Sequence, residues 1–151
     1  MENLDQISPI TSEHIVENGR IILPSRFRKR LSKWEVKSVV IARGYDGCLC
    51  LYLPDDWRAF VERMNRMPKI RSRALARKLF FGATEETLDR QGRLVIPQML
   101  REYAKITKEV VFFILPDRAE IWDKKTWEEY DKEIEFEAIG EELETHSGSS
   151  G

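Results

Sequence analysis

Two short stretches carry the residues best suited to grip a polyanion. Asn18-Gly19-Arg20 and Gln91-Gly92-Arg93 each set an arginine directly after a glycine. A guanidinium group is a planar fork of N–H donors that matches phosphate oxygens or the guanine edge in a DNA major groove. Asn-Gly between apolar runs tolerates positive φ at both positions, which a two-residue hairpin turn requires. Gln91-Gly92 is a weaker form of the same signal. A hairpin apex stands clear of a core, so Arg20 and Arg93 are expected to be free to meet a partner. Arg26, Arg28, Lys29, Arg30, Arg90 and Arg101 lie close by in the sequence. They could neutralise phosphates, which fixes register without reading bases. For Arg28 and Arg101 an ion pair with a carboxylate at the core edge, such as Asp89, is an equal alternative.

Other chemistries are poorly served. Neither Gly-x-x-x-x-Gly-Lys nor Gly-x-Gly-x-x-Gly occurs, and no nucleophile motif is present, so no enzymatic activity and no cofactor are expected. Cys48 and Cys50 could offer two thiolates, but His14 and His146 are the only histidines, and a metal site fails on ligand count. The two cysteines read better as small residues in a half-buried strand of a reduced, cytosolic protein. No apolar run approaches the roughly 18 residues of a membrane span. Met1–Ile10 shows no basic start followed by an apolar block, so no secretory leader is expected.

The elements that must position the arginines emerge from an internal repeat. Residues 18–28 and 91–101 share Gly-Arg, three aliphatics, Pro, two residues, an apolar residue and Arg. Gly92 follows Gly19, and Pro97 follows Pro24, by 73 positions. Trp127 follows Trp57 by only 70, so the second copy is shorter, most simply where Pro116-Asp117 replaces Gly44-Tyr45-Asp46-Gly47. In each copy an apolar strand leads through the Gly-Arg turn into a second strand. Pro24 or Pro97 then ends that strand and opens a short helix at its first position. Phe27 and Leu31, or Leu100 and Ala104, face inward. Val36–Ala42 with Cys48–Leu53, and Lys108–Leu115 with Arg118–Trp122, predict antiparallel strand pairs from their β-branched and aliphatic residues. Asp55 or Asp56 is expected to cap a helix carrying Trp57, Phe60, Val61, Met64 and Met67. Pro68 stops it, and a further helix over about 72–80 turns Leu75, Leu79 and Phe80 inward. A last helix starts near Lys125 with Trp127, Tyr130 and Ile134 on one face.

The net charge is −1, from 25 basic and 26 acidic residues, and it hides a segregation. Residues 17–37 and 58–78 are strongly basic, whereas the chain from Trp127 to Glu144 is acidic. That distribution suits a basic working surface beside an acidic C-terminal segment, although solvated helix faces would look the same.

The doubled Gly-Arg motif resembles the MraZ family, whose halves are similar to the AbrB-type swapped-hairpin domain. The resemblance extends to Arg43-Gly44-Tyr45-Asp46-Gly47-Cys48-Leu49 with Tyr52 and Trp57, and to Leu79-Phe80-Phe81-Gly82-Ala83, covering about residues 12–135. It implies an α+β fold of two tandem AbrB-like halves (double-split β-barrels) with pseudo-twofold symmetry and flanking helices. The division expected is 11–57 for the first half, 58–83 for connecting basic helices, 84–127 for the second half and 128–144 for an acidic C-terminal helix. Residues 145–151 are read as a tail or cloning remnant outside the fold, and the first ten residues are left out of it too. The resemblance also implies a cytoplasmic, nucleoid-associated transcription regulator. Such a protein forms a ring-shaped homo-oligomer, an octamer or larger, and binds double-stranded DNA at direct repeats before the division and cell-wall gene cluster. The motif-bearing residues are Gly19, Pro24, Asp89, Gly92 and Pro97, with Arg20 and Arg93 toward DNA. One departure is visible: the family pattern has Asp three residues before the Gly, and Asp89 supplies it in the second copy, but Val16 stands there in the first. The first loop is therefore expected to be looser, or its arginine differently aimed. An antitoxin-like protein that clasps a basic partner through its acidic C-terminal segment is the alternative.

Overall fold

A computed structural model of the chain describes residues 10–149, and of 147–149 the backbone only. The first copy runs β1 (Thr11–Ile15), β2 (Arg20–Ile22), α1 (Ser25–Lys33), β3 (Ser38–Arg43), β4 (Leu49–Tyr52) and α2 (Pro54–Asn65). Helix α3 (Lys69–Phe80) connects it to β5 (Thr84–Thr87), β6 (Arg93–Val95), α4 (Gln98–Tyr103), β7 (Glu109–Ile114), β8 (Ala119–Asp123) and α5 (Lys124–Glu133). Helix α6 (Phe136–Ser149) follows.

Eight strands form a six-stranded antiparallel sheet, β1-β7-β8-β4-β3-β5, and a separate antiparallel ribbon, β2-β6. Exchanging the copies (β1 with β5, β3 with β7, β4 with β8) reverses the order of the sheet and leaves its pairings unchanged. This is the pseudo-twofold relation that the repeat predicts. The hairpin partners differ from expectation. β1 leaves the Asn18-Gly19 turn after a single bridge, Glu17 to Arg20, and pairs with β7 instead of β2. β5 likewise pairs with β3, and β2 finds β6. The arms diverge because β2 must turn Ile21 into the core while β1 completes the edge of the large sheet. Each copy thus lends strands to the other, and neither has a closed core alone.

Alternation along the strands loads both faces of the sheet. One face, with Val39, Ile41, Leu49, Leu51, Val110, Phe112 and Ile121, packs on Phe27, Leu31, Leu100 and Ala104 from α1 and α4, closed by Ile21 and Leu94 of the ribbon. The opposite face carries Val40, Cys48, Cys50, Tyr52 and Trp122 under an aromatic layer of Trp57, Phe60, Trp127 and Tyr130 from α2 and α5. Trp57 stacks on Phe60 at 6.0 Å, and Trp127 meets Trp122 edge-on at 5.4 Å. Such pairs add stabilisation beyond the area they bury.

Several boundaries move. Pro24 and Pro97 sit one residue before α1 and α4, at the N-cap. Neither Asp55 nor Asp56 caps α2: Leu53 occupies the cap with Pro54 first in the helix, and both aspartates lie in the first turn. The true capping aspartate is Asp123 in the second copy, whose carboxylate accepts from the Thr126 N–H at 3.1 Å. Pro68 is the N-cap of α3, which begins at Lys69; Leu79 is buried there, but Phe80 is exposed and rests against Trp57 at 5.7 Å. The acidic segment 128–144 is not one helix. It breaks at Ile134, whose ψ of 124° is extended. Beyond it α6 runs on to Ser149, so residues 145–149, set outside the fold on composition, continue the helix. Ile10 is tied in as well, its carbonyl accepting from the Ile114 N–H at 2.9 Å. The remainder of the N-terminal stretch, 1–9, and residues 150–151 lie outside the described residues. Among the described residues no helix is long and apolar enough to cross a membrane.

Candidate nucleic-acid interface

The ribbon gathers the two Gly-Arg motifs. β2 and β6 pair with Arg20 opposite Val95, Ile21 opposite Leu94 and Ile22 opposite Arg93. Ile21 and Leu94 face the core, at 1% and 0% exposed. The alternate positions, Arg20, Ile22, Arg93 and Val95, therefore share the outer face. Ile22 is 52% and Val95 42% exposed, each the last residue of its strand. The two arginines stand on a diagonal of this face, each beside an aliphatic residue. Strand alternation along each three-aliphatic run, which turns its middle member outward, is the signal that would have singled out Ile22 and Val95.

The two turns are built differently, and the missing aspartate explains why. In the first, Glu17 and Arg20 exchange both backbone hydrogen bonds at 2.9 Å across Asn18 and Gly19, whose φ values are 51° and 72°. Positive φ at both central residues is the signature of a type I′ turn. In the second, the loop is one residue longer: the Asp89 N–H donates to the Arg93 carbonyl at 3.0 Å, and only Gly92 has positive φ. Asp89 organises this longer loop. One carboxylate oxygen accepts from the Gln91 and Arg93 N–H groups at 2.9 Å each, and the other from Arg93 Nε at 2.7 Å. Those bonds, the Arg93 N–H foremost, hold the Asp89 carboxyl below the usual carboxylate range. Arg93 is thus aimed by its own loop. Val16, by contrast, is buried in the core with its N–H on the Lys108 carbonyl at 2.7 Å. Arg20 is exposed, and among the described residues nothing pairs with its guanidinium. Arg93 is tied to its own loop, whereas the first turn, expected to be looser, is short and doubly bonded.

Neither Arg28 nor Arg101 forms an ion pair with Asp89, which binds Arg93. Each donates its Nε to the carbonyl just before its helix's proline, Arg28 to Leu23 at 3.0 Å and Arg101 to Ile96 at 2.9 Å. Each then lies against the opposite copy's glycine. A Cβ at Gly92 would sit 2.9 Å from Arg28 Cδ, and one at Gly19 would sit 3.2 Å from Arg101 Cζ. These arginines buttress the two turns crosswise. Arg30 is also committed, with Nη1 on the Leu115 carbonyl at 2.7 Å and its guanidinium 5.8 Å from the Phe27 ring centre. Arg26 is half-buried on α1, while Lys29 and Arg90 are exposed. Pro24 is buried and Pro97 half-buried.

Each repeat matches one family. The family described as "MraZ protein, putative antitoxin-like" matches residues 11–78 and again 79–146. The chain belongs to the MraZ family. Individual relatives agree over nearly the whole length. A protein of Caldanaerobacter subterraneus subsp. tengcongensis named transcriptional regulator MraZ is 41% identical over 137 residues, covering 87% of this chain and 93% of the relative. One of the same name from Moorella thermoacetica is 43% identical over 133 residues, covering 85% and 90%. A third, from Clostridium tetani, is 40% identical over 128 residues, covering 83% and 87%. The two MraZ matches meet within α3, so each includes one Gly-Arg turn, one buttressing arginine and one antiparallel strand pair.

Proposed function

We propose that this chain is a non-enzymatic, DNA-binding transcription regulator whose β2-β6 ribbon enters the major groove. The observation that carries the reading is the outer face of the ribbon: two arginines on a diagonal, two exposed aliphatics beside them, and a rigid hydrophobic anchor behind. A major groove about 12 Å wide admits a two-stranded ribbon. There Arg20 and Arg93 supply forked donors for guanine or phosphate, and Ile22 and Val95 supply apolar contact for thymine methyl groups. Arg26, Lys29 and Arg90 neutralise flanking phosphates. Arg28 and Arg101 act through the turns they support. The names of the relatives favour the regulatory role, and the strand exchange between copies favours reading the halves as swapped hairpins.

A single three-residue ribbon contacts few base pairs and binds weakly. We read the working form as a ring-shaped homo-oligomer, an octamer or larger, in the cytoplasm at the nucleoid. Head-to-tail rings hold their subunits in one rotational sense, which fits direct repeats spaced about one DNA turn, and tethering raises effective concentration. The repeats before the division and cell-wall gene cluster are the target. Acidic α5 and α6 of one subunit meeting the basic α2 and α3 of the next supply a ring contact; charge reversal at Arg73 and Arg77 that leaves assembly size unchanged counts against it.

Fluorescence anisotropy on a duplex of tandem direct repeats and on a scrambled duplex, over a salt series, tests the reading. Preference for the repeats with a steep salt slope, lost in the Arg20→Ala, Arg93→Ala double variant, supports it. No binding to either duplex at low salt refutes it. The antitoxin-like description of the family keeps a second reading in view, in which acidic α6, with Phe136, Ile139 and Leu143 exposed, clasps a basic protein. Co-purification of a stoichiometric small partner, instead of a large homo-oligomer, would favour it.

A further inference from the structure

On the sheet face away from the core under the ribbon, the Cys48–Cys50 pair meets a third ligand that the sequence left distant. β4 pairs antiparallel with β8, and Cys50 stands directly opposite Glu120. A carboxylate of the second copy is thereby set beside two thiols of the first. Both sulfurs and a Glu120 oxygen lie within 4.8 Å of one another, and among the described residues no other three such ligands do. Both cysteines are free thiols, 1% and 4% exposed.

Gly44 makes an independent observation at the same point. Its φ of −103° and ψ of −179° are extended backbone that any residue adopts, so conformation does not call for glycine. Sulfur does: a Cβ there would lie 2.6 Å from Cys48 Sγ and 2.7 Å from Cys50 Sγ. Both thiols therefore press on the Gly44 Cα, and only a residue without a side chain lets the two sulfurs lie side by side there.

We propose that Cys48, Cys50 and Glu120 form a binding site for a soft, thiophilic divalent cation of the zinc–cadmium kind. Thiolates select such ions over magnesium and calcium. Binding replaces two S–H bonds by two metal–sulfur bonds and releases two protons to solvent, with no change of oxidation state. One of those protons is the one Cys48 donates to the Tyr45 carbonyl at 3.2 Å. Glu120 is held for the task by Trp122 Nε1 at 3.1 Å and Arg118 Nη2 at 3.2 Å, in the way outer hydrogen bonds orient metal ligands. Water supplies the fourth position. A cavity of about 390 Å³ bounded by Gly44, Cys50, Tyr52, Arg118 and Glu120 opens the site to solvent beside α2 and α3. Chelation suits the strand better than a disulfide does. Cα atoms two apart in an extended strand are about 6.6 Å from each other, near the upper limit for a disulfide.

The full chain, reduced and anaerobic, is titrated with Cd(II) and followed by sulfur-to-cadmium charge-transfer absorption. The expected result is a band that saturates at one equivalent and withstands excess Mg(II). It disappears in Cys50→Ser and in Cys48→Ser. In Glu120→Gln, which keeps both thiols, binding weakens by about tenfold or more. Circular dichroism and melting of each variant establish that it is folded, and Gly44→Ala, whose Cβ must push the two sulfurs out of place, provides a block that keeps all three ligands. A folded wild-type chain without the band overturns the proposal, as does a band unchanged in Cys50→Ser, in Gly44→Ala or in Glu120→Gln.

Discussion

Replacing Gly92 by Ala tests whether the two copies are interlocked as the structure has them. The substitution carries two separable costs. Gly92 has φ of 77°, where an alanine is strained by about 1–2 kcal/mol. The new Cβ also falls 2.9 Å from Arg28 Cδ, a contact that only movement of that side chain can relieve. Moving it stretches the Nε bond to the Leu23 carbonyl, a charged hydrogen bond at a partly exposed site, so about 1 kcal/mol is a fair figure for that share. Gly92→Ala should therefore cost about 2–3 kcal/mol by urea denaturation. In an Arg28→Ala background the second share is already gone, and the same substitution should cost only the backbone strain. The double-mutant cycle then shows a coupling of about 1 kcal/mol between residues of opposite copies. Additivity within about 0.3 kcal/mol would refute the crosswise buttress, because distant sites add and touching ones do not.

Other outcomes follow from single contacts. Asp89→Ala should quicken hydrogen exchange at the Gln91 and Arg93 amides, since both donate to that carboxylate; unchanged protection would mean that another group holds the loop. His14 is held below its ordinary imidazole value by burial, so the fold favours the neutral ring. Stability tied to it should be whole above about pH 6.5 and decline as pH falls toward the lowered folded value. His14→Gln should remove that part of the profile when urea midpoints are compared across the range. Tyr103→Phe deletes the hydroxyl that donates to the Gly44 carbonyl at 2.8 Å and should cost about 1 kcal/mol by the same assay. Phe27→Ala empties a fully buried site between α1 and the sheet and should cost about 3–5 kcal/mol, a loss too large to miss in a melting curve.

The amino-acid sequence by itself determined what depends on neighbours along the chain. The repeat, the strand pairs around residues 44–47 and 116–117, the inward Phe27, Leu31, Leu100 and Ala104, and the helices opened after Pro24 and Pro97 all rest on local periodicity and turn chemistry. Asn18-Gly19 dictated its type I′ turn because both residues accept positive φ at little cost. Tertiary structure decided everything that depends on pairing at a distance. Nothing local tells β2 to leave β1 and join β6, since a three-residue aliphatic strand pairs equally well with either. Only the shared core, which must bury Ile21 and Leu94 together, makes the choice. That choice turned Ile22 and Val95 outward and set Arg20 and Arg93 on one face. It also set Arg28 and Arg101 against the glycines of the opposite turns. The register of β4 on β8 did the same for Glu120, carrying it 70 residues back along the chain to the side of Cys50. Spacing along a chain reports which residues can act; which of them meet is fixed by the burial that the whole fold has to complete.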